Sequence, residues 1–318
     1  MIYMNKKKMA IGAAVGTLSA VAAGSIFFYR FAFVKPKKAE NMPKDMEPYR
    51  TEIQKTRAWL EAQPLEQITL KSVDGLKLNG YFLQAADAMR TVVCVNGFRG
   101  NAKKDFVMLS KYLYEHQSNV LFMDQRGCGL SEGEMCFGIK GRYDCISWLD
   151  YLADRLGKDM LLYLNGGSMG AATVLMASEL NLPSSVKGII ADCGYTTPWK
   201  IIKHAANYIF HIPAFPMIYL LDLILKLRQG FSLKDASATE AVKHSKVPVL
   251  FIHGDEDDFV PPKMTLTNFA ACTSLKHLEI FEGAAHCMSY LVDSRRYQKT
   301  LEQFFDACEH GNQEGFLF

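Results

Sequence analysis

From about Glu66 to His310 the chain alternates short apolar runs with longer stretches of helical periodicity. ITLKS (68–72) and KLNGYFL (77–83) flank a VDG turn like the arms of a hairpin. TVVCVN (91–96), NVLFMD (119–124), MLLYL (160–164), KGIIADC (187–193), PVLFIH (248–253) and KHLEIFE (276–282) then read as strands. Between and after them, FVMLSKYLYEH, YDCISWLDYLADRLG, AATVLMASEL and SRRYQKTLEQFFDACEH read as helices. Apolar strands alternating with helices predict an α/β fold, with a mostly parallel eight-stranded sheet, helices on both faces and an antiparallel start. No internal repeat is visible. Functional groups in such open sheets collect at the carboxyl ends of strands, so the chemistry is sought there.

Two stretches break the alternation. Met9 to Tyr29 (MAIGAAVGTLSAVAAGSIFFY) holds no charge, and an apolar helix of about 20 residues spans a bilayer. Lys6 to Lys8 precede it; Arg30, Lys35, Lys37 and Lys38 follow. Ala20 to Ala22 would suit a signal-peptidase site, but the apolar run continues through Ile26, Phe27, Phe28 and Tyr29, which favours a retained helix. The expectation is a membrane protein held by a single N-terminal transmembrane helix. Basic flanks on both sides leave the side of the body undecided. The second stretch, 195–245, is far longer than an ordinary α/β connection and reads as a helical lid. Its apolar core, NYIFHIPAFPMIYLLDLILKL, is interrupted by His211, Pro213, Pro216 and Asp222, which argues against a second span. The expected organisation is anchor 1–38, linker and lead-in helix 39–65, core 66–194 and 246–310 around lid 195–245, and tail 311–318.

A length of 318 residues fits one large α/β domain. Beyond position 38 the chain carries 29 Lys and Arg against 33 Asp and Glu, a net charge of −4. That balance excludes a basic nucleic-acid surface. The eight cysteines form no CxxC pair and have no closely spaced histidine, so their spacing supports neither a zinc site nor a redox motif. They read as small buried hydrophobes.

The chemistry concentrates at three strand ends. GGSMG (166–170) pinches Ser168 between glycines where a strand-like run gives way to a helix-like one. A residue held at positive φ in a tight corner needs neighbours without side chains, because a Cβ two positions away would clash. The product is a serine hydroxyl raised on a strand-to-helix turn, the geometry of a nucleophile elbow. GDEDDFVPP follows the strand ending in His253, and GAAHCMSY follows the one ending in Glu282. A serine nucleophile needs a base, and the base needs a carboxylate to fix its tautomer. Ser168, an acid among Asp255, Asp257 and Asp258, and His286 stand in the order Ser, Asp, His. His253 reads as a hydrogen-bonded core histidine and His211 belongs to the lid. Cys287 lacks an elbow, so cysteine catalysis is not expected.

NGFRG, MDQRGCGLSEG, GGSMG and GDEDDFVP followed by GAAH together resemble the α/β-hydrolase superfamily, over about Glu66 to His310. The likeness is nearest to N-terminally anchored bacterial serine hydrolases of the serine-aminopeptidase-like and monoglyceride-lipase-like groups. The resemblance implies Asp257 as the acid, three residues after Gly254 and three before Val260. Asp255 and Asp258 are then left to cap the helix near Pro261 or to stay solvated. It also implies an oxyanion hole from the backbone amides of Phe98 and Met169. Asn96 departs from the family, which usually has histidine there; Asp124 and Arg126 read as loop-shaping residues. The implied activity is that of a serine carboxylesterase or acyl hydrolase acting through an acyl-enzyme, without metal or organic cofactor. Its partners would be a small acyl or lipid-like ester and the membrane, with no nucleic acid. A serine aminopeptidase, an acyltransferase using the same triad, and a non-enzymatic binding module are the alternatives.

Overall fold

The computed structural model describes residue 19, residues 21–34 and residues 43–311. Eight strands, β1 Glu66–Lys71, β2 Lys77–Leu83, β3 Arg90–Val95, β4 Ser118–Met123, β5 Leu161–Gly167, β6 Val186–Asp192, β7 Val249–Gly254 and β8 Lys276–Phe281, form one sheet. Their order is β1-β2-β4-β3-β5-β6-β7-β8. β2 pairs antiparallel with both β1 and β4, and every later pairing is parallel. This is the α/β-hydrolase fold that the motif resemblance implies, with the mostly parallel sheet that the run of short apolar segments predicts.

Strand periodicity divides the interior. Val93, Val95, Leu121, Met123, Leu162, Leu164, Ile189, Ala191, Val249 and Phe251 point into one apolar cluster. Their neighbours Val92, Cys94, Val120, Phe122, Tyr163, Ile190, Leu250 and Ile252 point into the other. Successive side chains of a strand face opposite sides, so a strand covered on both faces must be apolar at nearly every position. Helices Gly141–Leu156 and Met169–Ala177 cover the first face. Arg50–Glu61, Val107–Glu115 and Ser294–His310 cover the second.

The N-terminal reading needs correction. Residues 1–18 and 20, which include much of the run Met9 to Tyr29, lie outside the described residues, as do 35–38 at the end of the expected anchor, 39–42 of the linker and 312–318 of the tail. Among the described residues no helix is long and apolar enough to cross a membrane, so the expected transmembrane helix and membrane localisation are not supported. Residues 21–32 are helical, and Phe28, Tyr29, Ala32 and Phe33 are buried against the body. The Phe28 ring meets Phe210 at 5.2 Å and the Phe33 ring meets Phe137 at 5.1 Å. Ser25 Oγ donates to the Met217 carbonyl at 3.0 Å, and the Tyr29 hydroxyl donates to the Glu134 carboxylate at 2.9 Å. Hydropathy counts apolar residues without saying what covers them, and here the covering is protein.

Between β6 and β7 the chain forms helices Pro198–His204, Met217–Gln229 and Ala238–Ala241. Ile218, Leu221 and Leu225 are buried beneath the middle one, while Phe215, Tyr219 and Leu223 are exposed. Phe210 packs on Phe27, Phe28 and Phe31, so this segment and the N-terminal helix share one aromatic cluster.

Candidate active site

Ser168 sits at the corner between β5 and the helix Met169–Ala177 with φ 56°. Two of the flanking glycines are required by space. A Cβ on Gly166 would lie 2.3 Å from the Gly170 carbonyl carbon and oxygen, and one on Gly170 would lie 1.9 Å from the Val95 carbonyl oxygen. Gly167 meets nothing closer than 3.9 Å. The turn is held further by the Ser168 amide, which donates to the Asp192 carbonyl at the end of β6.

The loops after β7 and β8 complete a hydrogen-bonded chain. Ser168 Oγ lies 2.9 Å from His286 Nε2, and His286 Nδ1 lies 2.6 Å from Asp257 Oδ2. Asp257 Oδ1 accepts from the amides of Phe259 and Val260. Burial works against ionising Asp257, but hydrogen bonds from His253 and His286, the His286 charge and the Val260 amide hold its pKa well below the usual carboxylate range. Burial also works against the imidazolium of His286. The neighbouring Cys193 and the hydrogen bond and charge of Asp257 outweigh it, so the His286 pKa is raised above its ordinary value.

The other acids and histidines take structural places. Asp255 is exposed, and its Oδ1 accepts from the Gly283 amide at 2.7 Å, tying the β7 loop to the β8 loop. Asp258 is exposed. His253 is fully buried, as a core histidine should be, with Thr265 Oγ1 at 2.7 Å from Nδ1. Its Nε2 also comes within 3.2 Å of Asp257 Oδ2. Nothing in the sequence pointed to that second contact on the candidate acid, because it depends on how the β7 loop curls back over the strand.

The loop after β3 passes over the elbow, so close that a Cβ on Gly97 would lie 3.5 Å from Ser168 Cβ. Phe98 therefore follows a backbone already in contact with Ser168, and Met169 opens the helix directly after it. Asn96, the departure from the family pattern, clamps this loop. Its Nδ2 donates to the Gly97 carbonyl, its Oδ1 accepts from the Gln125 amide, and its own carbonyl accepts from Gln125 Nε2. Asp105 Oδ2 accepts from the Gly97 amide at 2.9 Å beneath the loop. Although the residue is exposed, desolvation of its carboxylate against the loop raises the Asp105 pKa to about 6, against the Gly97 amide and Lys104, which lower it. Sequence reading missed Asp105, Gln125 and Arg99; a lone carboxylate in AKKDF carries no pattern that would single it out.

Asp124 and Arg126 shape loops, as expected. Asp124 accepts from the amides of Ala102 and Leu130, and Arg126 bridges Asp144 at 2.6 Å and Asp74 at 2.8 Å.

Cys287 follows His286 and meets Cys193 from the end of β6, Sγ to Sγ 3.3 Å. Cys193, Cys287 and His286 each offer a ligand atom, all within 4.8 Å of one another. Spacing gave no hint of this cluster, because the two thiols lie on different strand-end loops.

Comparison with known proteins agrees with this fold. The family model described as "alpha/beta hydrolase fold" matches residues 90–215, which include the loop over the elbow and Ser168. A Bacillus subtilis relative, the uncharacterized protein YqkD, is 26% identical over 304 residues, covering 95% of this chain and 98% of its own. The Pyrococcus furiosus esterase Pf2001 superposes with a TM-score of 0.63 at 17% identity, covering 86% of this chain and 96% of the esterase. Est1E from Butyrivibrio proteoclasticus, solved with ferulic acid bound, superposes with a TM-score of 0.59 at 20% identity, covering 74% and 97% of the two chains. The comparisons support a place in the α/β-hydrolase superfamily.

Proposed function

With the α/β-hydrolase fold as the premise, we propose that the protein is a serine hydrolase that cleaves carboxylic esters bearing an apolar acyl group. The observation that carries the reading is the unbroken hydrogen-bonded chain from Ser168 through His286 to Asp257 at three strand ends. The esterase neighbours point the same way.

In this reading His286 Nε2 takes the Ser168 proton as Oγ attacks the ester carbonyl. Asp257 stabilises the imidazolium that forms, and its low pKa keeps it ionised while it does so. The oxyanion of the tetrahedral intermediate is received by the amides of Phe98 and Met169. His286 then returns the proton to the departing alcohol. Water, deprotonated by the same histidine, releases the acyl group. Asn96, Gln125 and Asp105 hold the Phe98 loop at its place before substrate arrives, which spares the reaction that reorganisation.

A fluorophosphonate probe tests the reading. It should label the protein once, at Ser168, and Ser168→Ala should abolish both labelling and turnover of p-nitrophenyl esters. Labelling that survives in the alanine variant overturns the assignment of Ser168. Labelling without turnover of any ester or aminoacyl amide overturns the choice of reaction.

A further inference from the structure

We infer that Cys193, Cys287 and His286 form an inhibitory site for a thiophilic divalent cation, zinc in particular, that closes the candidate active centre. Three observations carry the inference. The two sulfurs lie 3.3 Å apart, and a ring nitrogen of His286 lies within 4.8 Å of both. Zinc bonds to sulfur at about 2.3 Å and to imidazole nitrogen at about 2.0 Å, so on one tetrahedral ion the sulfurs stand about 3.8 Å apart and the nitrogen about 3.6 Å from each; a half-ångström spread of the sulfurs and an inward shift of the imidazole by up to about an ångström admit the metal. The ligand set, two thiolates and an imidazole, is one that soft or borderline cations prefer to magnesium or calcium.

The second observation is backbone geometry. Cys193 and Cys287 both sit at positive φ, 52° and 59°, where a residue with a Cβ seldom rests. Cys193 follows β6 and its amide donates to the Ile252 carbonyl of β7; Cys287 follows His286. Two separate strand-end loops therefore hold unusual conformations that bring their thiols to one point. Such outliers, kept in place by the surrounding fold, collect at functional sites.

The third observation is how His286 is engaged. Nδ1 pairs with Asp257 at 2.6 Å and Nε2 faces Ser168 Oγ at 2.9 Å, so a cation bound at Nε2 displaces the serine hydroxyl. A cation held there with the two sulfurs takes the lone pair that would accept the serine proton. On binding, both thiols lose their protons to solvent, and the fourth position is left to water or to Ser168 Oγ. Asp257 on Nδ1 fixes the ring and raises its basicity, as carboxylates commonly do behind metal-bound histidines.

The inhibitory consequence rests on the reading of His286 as the base; the binding of metal does not, and the test separates them. The full-length protein, kept reduced with a phosphine, is titrated with cobalt(II) chloride. A sulfur-to-cobalt charge-transfer band in the near ultraviolet is expected, absent in Cys193→Ser and in Cys287→Ser. Zinc chloride should displace cobalt, block fluorophosphonate labelling of Ser168 and inhibit ester hydrolysis. A chelator should reverse all three effects. Each cysteine variant, compared with its own metal-free rate, should need at least about tenfold more zinc for half-inhibition. Absence of the cobalt band in the unaltered protein, or its persistence in folded Cys287→Ser, overturns the site. A band without loss of labelling overturns the closure. A band in a protein that hydrolyses nothing leaves the metal site standing while the hydrolase reading falls.

Discussion

Arg99 ties the N-terminal helix to the loop over Ser168. Its Nη2 donates to the Phe31 carbonyl at 2.5 Å, and its guanidinium lies 4.3 Å from the Phe31 ring centroid and 5.4 Å from that of Phe98. Phe31 in turn packs on Phe98 at 6.0 Å and on Phe210 at 5.0 Å. A helix that hydropathy alone assigns to a bilayer is thus joined to the residue whose amide is proposed to receive the oxyanion.

Removing that link should loosen the loop. Arg99→Ala is expected to lower kcat by up to about a hundredfold, the scale on which oxyanion donors matter, with a smaller change in KM. Deleting residues 1–33 should do the same and also lower thermal stability. Phe28, Tyr29 and Phe33 are buried in the intact chain, and each such apolar side chain contributes about 1.5–3 kcal/mol. Steady-state kinetics and thermal melts of both variants make the check. An unimpaired kcat in the deletion would show that the helix packs on the body without serving the site.

The pH dependence should report His286. Its pKa is raised, so the neutral base is depleted on the acid side, and half-maximal kcat/KM should fall at a pH above that of an ordinary histidine. Asp257→Asn removes the charge that stabilises the imidazolium. The acid limb should then move to lower pH while the maximal rate drops by about four orders of magnitude. Asp255→Asn should leave the limb in place, because Asp255 contacts Gly283 and not the histidine. A limb that moves with Asp255 instead would transfer the acid to that residue.

How far the sequence reached can be judged at particular residues. The sheet was legible because β3, β4, β5 and β7 are short runs apolar on both faces, the pattern of strands covered on both sides. Ser168 was legible because clashes dictate its glycines: Gly166 and Gly170 are two positions away on either side, where a Cβ has no room. What failed was assignment by local character of groups whose meaning is long-range. The aromatic run ending at Phe33 has the same hydropathy whether lipid or Phe137 and Phe210 cover it. Asp105, Asn96 and Gln125 act through one loop from three separate segments. Cys193 and Cys287 meet only once β6 and β8 are placed on either side of β7.

Asp105 offers a test in which stability and activity move apart. Desolvation of its carboxylate against the loop raises its pKa to about 6, so the folded protein holds a proton that the unfolded chain, near the ordinary aspartate value of about 4, has released. The contribution to stability is full below pH about 4 and is lost as pH rises through about 6. Asp105→Asn removes the carboxylate charge but keeps an oxygen for the Gly97 amide. Its denaturation midpoint should exceed that of the parent at pH 7 and match it at pH 4, with activity largely kept. Asp105→Ala removes the acceptor as well, and kcat should fall with little change in KM. Equal kcat in the alanine variant would remove Asp105 from the support of the loop.

Substrate preference follows from the aromatic cluster that Phe27, Phe28 and Phe31 form with Phe210 beside the Phe98 loop. An acyl chain bound to Ser168 with its carbonyl oxygen toward the Phe98 amide would run toward these rings. Each methylene that leaves water gains about 0.8 kcal/mol, nearly fourfold in kcat/KM per carbon until the apolar surface is used up. Medium-chain p-nitrophenyl esters should therefore exceed the acetate ester by well over tenfold, and aminoacyl amides should be poor substrates. Phe210→Ala and Phe31→Ala, which remove two of the rings, should flatten the chain-length profile chiefly by slowing the longer esters. The acetate rate should stay nearer that of the unaltered protein, most of all in Phe210→Ala, where the Arg99 link to the Phe31 backbone is untouched. A flat profile in the unaltered protein, or an aminoacyl amide as the best substrate of the panel, would mean that the cluster serves packing alone and that the acyl group leaves Ser168 in another direction.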